Sequence, residues 1–219
     1  VVLHGCVTTT KQKITQLSSN QTTPKILLMP VDVTLGHLTT AGLFEPQAEW
    51  TNQGIANVKL GVEHFLKSQN AGLVEYVEPT EQDVAKFHDQ LVKLHREVGK
   101  SIALFQLSPQ FQLPTKKEGF DWSLGPDVKS LAERYDADYG LFVYMKDSYA
   151  TAGRAAVMVF AAILGVGVQG GTQVGYASLV DLKTGEIVWF NTVARGTGDL
   201  RQQEPAEETV KLLLTEFPK

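Results

Sequence analysis

The chain holds one cysteine, Cys6, behind the string Val1-Val2-Leu3-His4-Gly5 and ahead of Val7-Thr8-Thr9-Thr10. A lone thiol excludes internal disulfides and cysteine-based zinc sites, and the plain alternative to any modification is a free thiol near the terminus. The histidines are scattered. His88 and His95 stand seven residues apart on one helical segment, about 10 Å along its axis. Zinc ligands lie about 2 Å from a shared ion, so these two meet on one metal only if the helix bends. His64, on another segment, could approach either. Histidines flanking an apolar stripe read as boundary residues, and no metal is expected. Gly165-Val166-Gly167-Val168-Gln169-Gly170 spells G-x-G-x-x-G. A dinucleotide site needs those glycines between a strand and a helix amino terminus. Here a strand pattern follows, from Thr172 to Leu182, so no nucleotide is expected. Asp136 and Asp138 are close, and Glu204, Glu207 and Glu208 cluster where acids favour the first turn of a helix. No G-x-S-x-G elbow, H-E-x-x-H helix or P-loop occurs. The expectation is no catalytic residue and no cofactor.

The elements around these residues follow from periodicity. Lys25 to Val33 is a short continuous apolar run, the pattern of a strand covered on both faces. Pro30 either interrupts its ladder or places it at an edge, and the residues after Val33, through Pro46, read as irregular. Trp50 to Asn70 carries Ile55, Val58, Val62, Phe65 and Leu66 at helical spacing, with Gly72 in the place of a stop. Leu73 to Val77 alternates like a strand. Thr80-Glu81-Gln82-Asp83 has the form of a capping box ahead of an apolar stripe of Val84, Phe87, Leu91, Leu94 and Val98. Ser108 to Pro126 reads as an ordered loop rich in Pro, Gly and aromatics, followed by a short helix over Pro126–Tyr135. Asp138 to Lys146 is a strand with Tyr139, Leu141, Val143 and Met145 alternating. Val174–Leu182 and Ile187–Val193 flank Lys183-Thr184-Gly185-Glu186, a hairpin in which Gly185 takes the left-handed turn position. A helix over Pro205–Phe217 closes the chain.

These elements predict an α/β (α+β) fold: a mixed β-sheet packed by helices, with a late antiparallel hairpin. At 219 residues, 43% hydrophobic, with net charge −4, the chain is an ordinary globular length and composition. No basic stripe offers a footprint for nucleic acid. Residues 25–219 are assigned to a single α/β domain. Thr8 to Thr23 is polar apart from Ile14 and Leu17 and reads as a flexible tether, spanning about 20–25 Å as a free coil. The segment Ala155–Val168 is apolar, and no charge follows Arg154 until Asp181. A membrane-spanning helix needs about 20 apolar residues, so this one is short. It also lacks the alternation of a membrane strand. Three readings stand: first a buried helix or strand, then a surface for self-association through Ala155 to Thr172, then direct contact with a bilayer.

Two resemblances extend this reading. Val1 to Cys6, with an aliphatic residue three before the cysteine and glycine just before it, resembles a bacterial lipoprotein processing box; His4 departs from that pattern. The resemblance implies that residues 1–5 are a signal-peptide remnant and that 6–24 comprise a lipidated cysteine and its tether. Cys6 would then carry diacylglycerol, and several acyl chains at about 0.8 kcal/mol per buried CH₂ hold a protein to a bilayer. Val7-Thr8 carries no obvious retention acid, which points to the outer membrane, facing the periplasm. From about residue 25, "KILLMPVDV", "YDADYGLFVYMKD" and "GYASLVDLKTGEIVWFN" resemble the TolB amino-terminal-like and CsgG-like (curli secretion) α/β envelope lipoproteins. That likeness implies a non-catalytic scaffold or accessory factor in envelope assembly or secretion, working with other envelope proteins. The alternatives are a subunit of an oligomeric outer-membrane secretion pore, and a periplasmic ligand-binding or hydrolytic protein with Ser108–Pro126 as a lid.

Overall fold

The computed structural model describes residues 7–14, 16–17, 23–117, 119–168 and 170–219. Eight strands form one mixed sheet: six follow the order β1-β8-β7-β6-β2-β5, while β3 also pairs with β6 and carries β4 on its other edge. They are β1 (Val7–Gln12), β2 (Lys25–Leu28), β3 (Asp32–Leu38), β4 (Phe44–Pro46), β5 (Gly72–Glu75), β6 (Tyr139–Ala150), β7 (Gln173–Asp181) and β8 (Ile187–Arg195). The helices are α1 (Ala48–Ser68), α2 (Gln82–Phe105), α3 (Lys129–Tyr135), α4 (Ala152–Ile163) and α5 (Gln203–Leu213). The expected α/β architecture is what forms.

The long central strand β6 organises the sheet. Its first half pairs in parallel with β2 and its second half in parallel with β3. Pro30, with no N–H to give to the ladder, lies in the break between them. The sequence predicted that interruption but left residues 34–46 irregular. Instead β3 resumes the sheet and turns back through β4, with Gly36 opposite Pro46 and Leu38 opposite Phe44. Residues Tyr139, Leu141, Val143 and Met145 of β6 face one side with α1 and α5, while Phe142 and Tyr144 face the other with α2. Both faces are therefore covered, and β2 runs apolar without alternation for that reason.

On the first face α1 buries Gly54, Val58, Gly61, Val62 and Leu66, a line at helical spacing. At Gly61 the helix comes close to Val210 of α5. The predicted stop at Gly72 does not serve: Asn70 takes the left-handed conformation with φ 53°, and Gly72 begins β5. On the second face α2 buries His88, Leu91, His95, Gly99 and Ile102. The apolar stripe expected at Val84–Leu94–Val98 is thus rotated, and Leu94 is exposed. No side-chain cap forms at its start, where Thr80 Oγ1 donates to Glu81 at 3.3 Å instead of to the backbone.

The hairpin β7–β8 forms as expected, with Gly185 at φ 79° and Asp181 Oδ1 accepting from the N–H groups of Lys183 (2.8 Å) and Thr184 (3.0 Å). The segment read as a tether differs. Val7–Gln12 adds to β8 as an antiparallel edge strand, and partly buried Ile14 and Leu17 pack on the core. Backbone pairing supplies there what few apolar side chains could not. Cys6 and residues 1–5, with the lipidation expected of them, lie outside the described residues.

Candidate functional site

One end of the sheet gathers the features that set this chain apart. The carboxyl ends of β3, β6 and β8 and the amino ends of β7 and β1 all lie there. Successive strands share rungs, so Thr34, Lys146, Val174, Ala194 and Val7 stand in line. The next rung outward from the sheet's middle is Asp147, Gln173 and Arg195.

From this end projects α4, between β6 and β7. Thr151 caps it, its Oγ1 accepting from Arg154 N at 3.2 Å. Gly165, in the left-handed region at φ 75°, ends it. The base is clamped: Ser148 N donates to Thr172 O (3.0 Å), and Thr172 N donates to Ser148 Oγ (2.9 Å). Arg154 Nη1 donates to Thr40 O at 3.3 Å, tying the first turn to the β3–β4 connection. Beyond that base the helix has no buried residue. Phe160 is 66% exposed, Ile163 76% and Leu164 65%. The expectation of a buried element is therefore corrected: among the described residues nothing buries this apolar run, and only Met158, Ala161 and Val168 along it are partly covered. G-x-G-x-x-G likewise follows a helix and precedes a strand, so no helix amino terminus is offered to a pyrophosphate.

Beneath the arm lies a buried polar network. Asp147 and Gln173 are 2% exposed, and Thr209 of α5 is fully buried. Asp147 Oδ2 accepts from Tyr149 Oη (2.6 Å) and Gln173 Nε2 (2.8 Å). Thr209 Oγ1 donates to Gln173 Oε1 (2.7 Å), and Arg195 Nη1 donates to Thr209 Oγ1 (3.1 Å). Burial raises the Asp147 carboxyl above its ordinary range, against the hydrogen bonds it accepts. The same burial, with the Asp147 carboxylate beside it, drives the Tyr149 phenol far up. Arg201 forks onto Asp199 at 2.9 and 2.8 Å, and its guanidinium lies 3.8 Å from the Tyr149 ring centroid and 4.4 Å from that of Trp50. A polar cleft of about 340 Å³ opens beside this column, between Ser148, Thr172, Thr197 and Arg201. While the buried Arg195 Nε has no hydrogen-bond partner among the described residues, most donors and acceptors of the network satisfy one another. Its chemistry is to fix the strand ends and α5 under the arm.

The other residues with chemistry stay apart. His64 sits on the α1 face and meets Glu207 at 3.2 Å. His88 meets Tyr76 Oη at 3.1 Å, and His95 meets Ser178 Oγ at 2.9 Å on the opposite face. Burial depresses both, His95 to about 3. These two are core residues rather than boundary ones: each ring has one hydroxyl partner, and His95 Nδ1 is left without a hydrogen-bond partner among the described residues. Among the described residues, no cluster of three or more His, Cys, Asp or Glu could hold a metal. Asp136 and Asp138 turn to Lys25. A second crevice of about 300 Å³ lies outside the carboxyl ends of β2 and β5, where Arg96 forks onto Asp32 at 2.6 and 2.8 Å. The Ser108–Pro126 loop is tied to α2 and to the β7–β8 turn: Trp122 Nε1 donates to Gln106 at 3.1 Å and Ser123 Oγ to Gly185 O at 2.7 Å.

The geometry defines a class: a mixed α/β domain that carries an uncovered apolar arm on a rigid polar base. No protein family and no curated protein sequence matches the chain. Solved structures similar to it include the PelC dodecamer from Paraburkholderia phytofirmans, at 12% identity and a TM-score of 0.46 over 97% of this chain and 98% of that one. A single-substitution form of the same PelC dodecamer scores 0.45 at 12% identity, over 97% and 99%. Identity and score this low carry nothing across to this chain.

Proposed function

We propose that this chain is a lipid-anchored, periplasm-facing accessory protein of the bacterial envelope, acting as a non-catalytic scaffold in assembly or secretion. The observation that carries this reading is α4: an apolar helix with no buried residue, held out on a clamped base. A surface of that kind is made for contact, and exposed apolar patches mark interaction sites. The processing-box resemblance at Cys6 and the likeness to TolB- and CsgG-type envelope lipoproteins supply the placement. Fractionation tests it. Full-length protein expressed with its leader should carry acyl label and sediment with outer membrane, and Cys6→Ser should lose both. Unchanged fractionation would refute the anchor.

A second reading, an oligomeric secretion pore, has its own support. Ala155, Ala156, Ala161 and Ala162 along the arm permit close backbone approach between copies. Among the described residues no helix is long and apolar enough to cross a membrane; in this reading the segment Ala155 to Thr172 joins an element shared between chains. Light scattering that finds only monomers in detergent would count against it.

A further inference from the structure

We infer that the arm's partner is lipid: α4 enters one leaflet of the bilayer with its side chains among the acyl chains, as a second membrane contact beside the one at Cys6. The inference rests on the reading of this chain as an envelope lipoprotein and names what its arm touches.

The way α4 is exposed argues for a surrounding medium. Arg154, Met158 and Ala161 are partly covered and recur at helical spacing, so they form one narrow stripe toward the body. Every other residue of the helix from Ala155 on is exposed, and at about 100° per residue these positions run round the rest of the circumference. A docked protein covers one side of a helix, as a stripe. A helix apolar all round suits a solvent that reaches it from all sides.

Position and charge agree. The rung that begins at Val7 passes through Lys146, at the root of the arm, so β1 starts at the end of the sheet from which α4 projects. Leu43, Val157, Val159, Phe160, Ile163, Leu164, Val166 and Val174, eight of the thirteen exposed large apolar side chains of the described residues, lie at this end. Between Asp147 and Asp181 the single charged residue is Arg154, a cation at the arm's base, where phosphate headgroups would lie. The helix is about 18 Å long, against a hydrocarbon core of about 30 Å. It is therefore too short to cross and stays within one leaflet.

The test uses purified full-length Cys6→Ser protein, so that no acyl chain contributes, with vesicles of phosphatidylethanolamine and phosphatidylglycerol. Expected is co-sedimentation with the vesicles, weakened at least about tenfold by Phe160→Asp with Ile163→Asp, since each side chain forfeits its apolar transfer. In a Phe160→Trp form the added indole should be quenched by lipids brominated in the acyl chain, well beyond the quenching of Trp50, Trp122 and Trp189 in the parent. Absence of vesicle binding overturns the inference. So does a soluble oligomer that shields the added indole without lipid, which would give the arm to a second copy. Either failure leaves the anchor reading standing if the native protein still carries acyl label, whereas loss of label removes that reading whatever the vesicles show.

Discussion

Replacing Gly99 with alanine sets two effects of opposite sign against each other. In an exposed helix the change stabilises by about 1 kcal/mol, because glycine has more backbone freedom to lose. At this position α2 rests on Tyr176 of β7. A methyl built on Gly99 would stand 2.5 Å from Tyr176 Cδ2 and 2.7 Å from Cζ, where carbon atoms prefer about 3.5–4.0 Å. The ring has little room to yield. It is 6% exposed, stacked at 4.9 Å on Tyr144 and 5.7 Å on Phe190, and its hydroxyl donates to the Arg96 carbonyl. Relief requires the helix to lift or the stack to shift by about 1 Å, an overpacking cost of about 1–3 kcal/mol. We place it in the upper half of that range, so the clash wins by about 1–2 kcal/mol. For a chain of this size that lowers Tm by about 2–8 °C. Thermal unfolding followed by circular dichroism measures it, and a double-mutant cycle assigns it. In a Tyr176→Leu background Gly99→Ala should be neutral or stabilising. A Gly99→Ala protein as stable as its parent would refute the packing argument.

Three further outcomes follow from the same structure. His95 is held neutral by burial, with its pKa depressed to about 3 from 6.5. Its unfolded form binds the proton first, so its contribution is complete above pH 6.5 and declines below it, by up to about 1.4 kcal/mol per pH unit. His95→Gln should flatten the stability profile between about pH 6.5 and 5, and an unchanged slope in urea titrations would contradict the assignment. Asp147 acts with the opposite sign, since its raised carboxyl adds stability as pH falls through its native pKa. Asp147→Ala strips the acceptor from Tyr149 and Gln173 and should cost about 2–3 kcal/mol in chemical denaturation at neutral pH; a loss within error would mean the network contributes nothing. Phe160→Asp with Ile163→Asp should change stability by no more than about 0.5 kcal/mol per site, because both side chains are exposed. A cooperative drop would show that the arm packs in the isolated chain after all.

Much of the scaffold was readable from residue patterns because its signals are local. The β7–β8 hairpin follows from Asp181 and Gly185, and the break at Pro30 follows from a residue that fixes the backbone within a few positions. Helix α2 was readable as a helix, while its buried side was not. His88 and His95 look polar in a pattern, and only Tyr76 and Ser178, brought in from other elements, make them acceptable inside. Edge strand β1 and the β3–β4 turn escaped because their stability comes from ladders with distant partners rather than from their own side chains. The network of Asp147, Gln173 and Arg195 has no linear signature, since three strands must come into register before those residues share a rung.

The amino-acid order alone determined the alternation of helices and strands, the lone thiol at Cys6 and the presence of an uncharged apolar stretch after Arg154. Composition makes such a stretch want cover but cannot say whether the fold provides any. Only the tertiary structure decided that, because β6 and β7 pair directly and leave α4 outside both packed layers, at the end of the sheet where β1 begins.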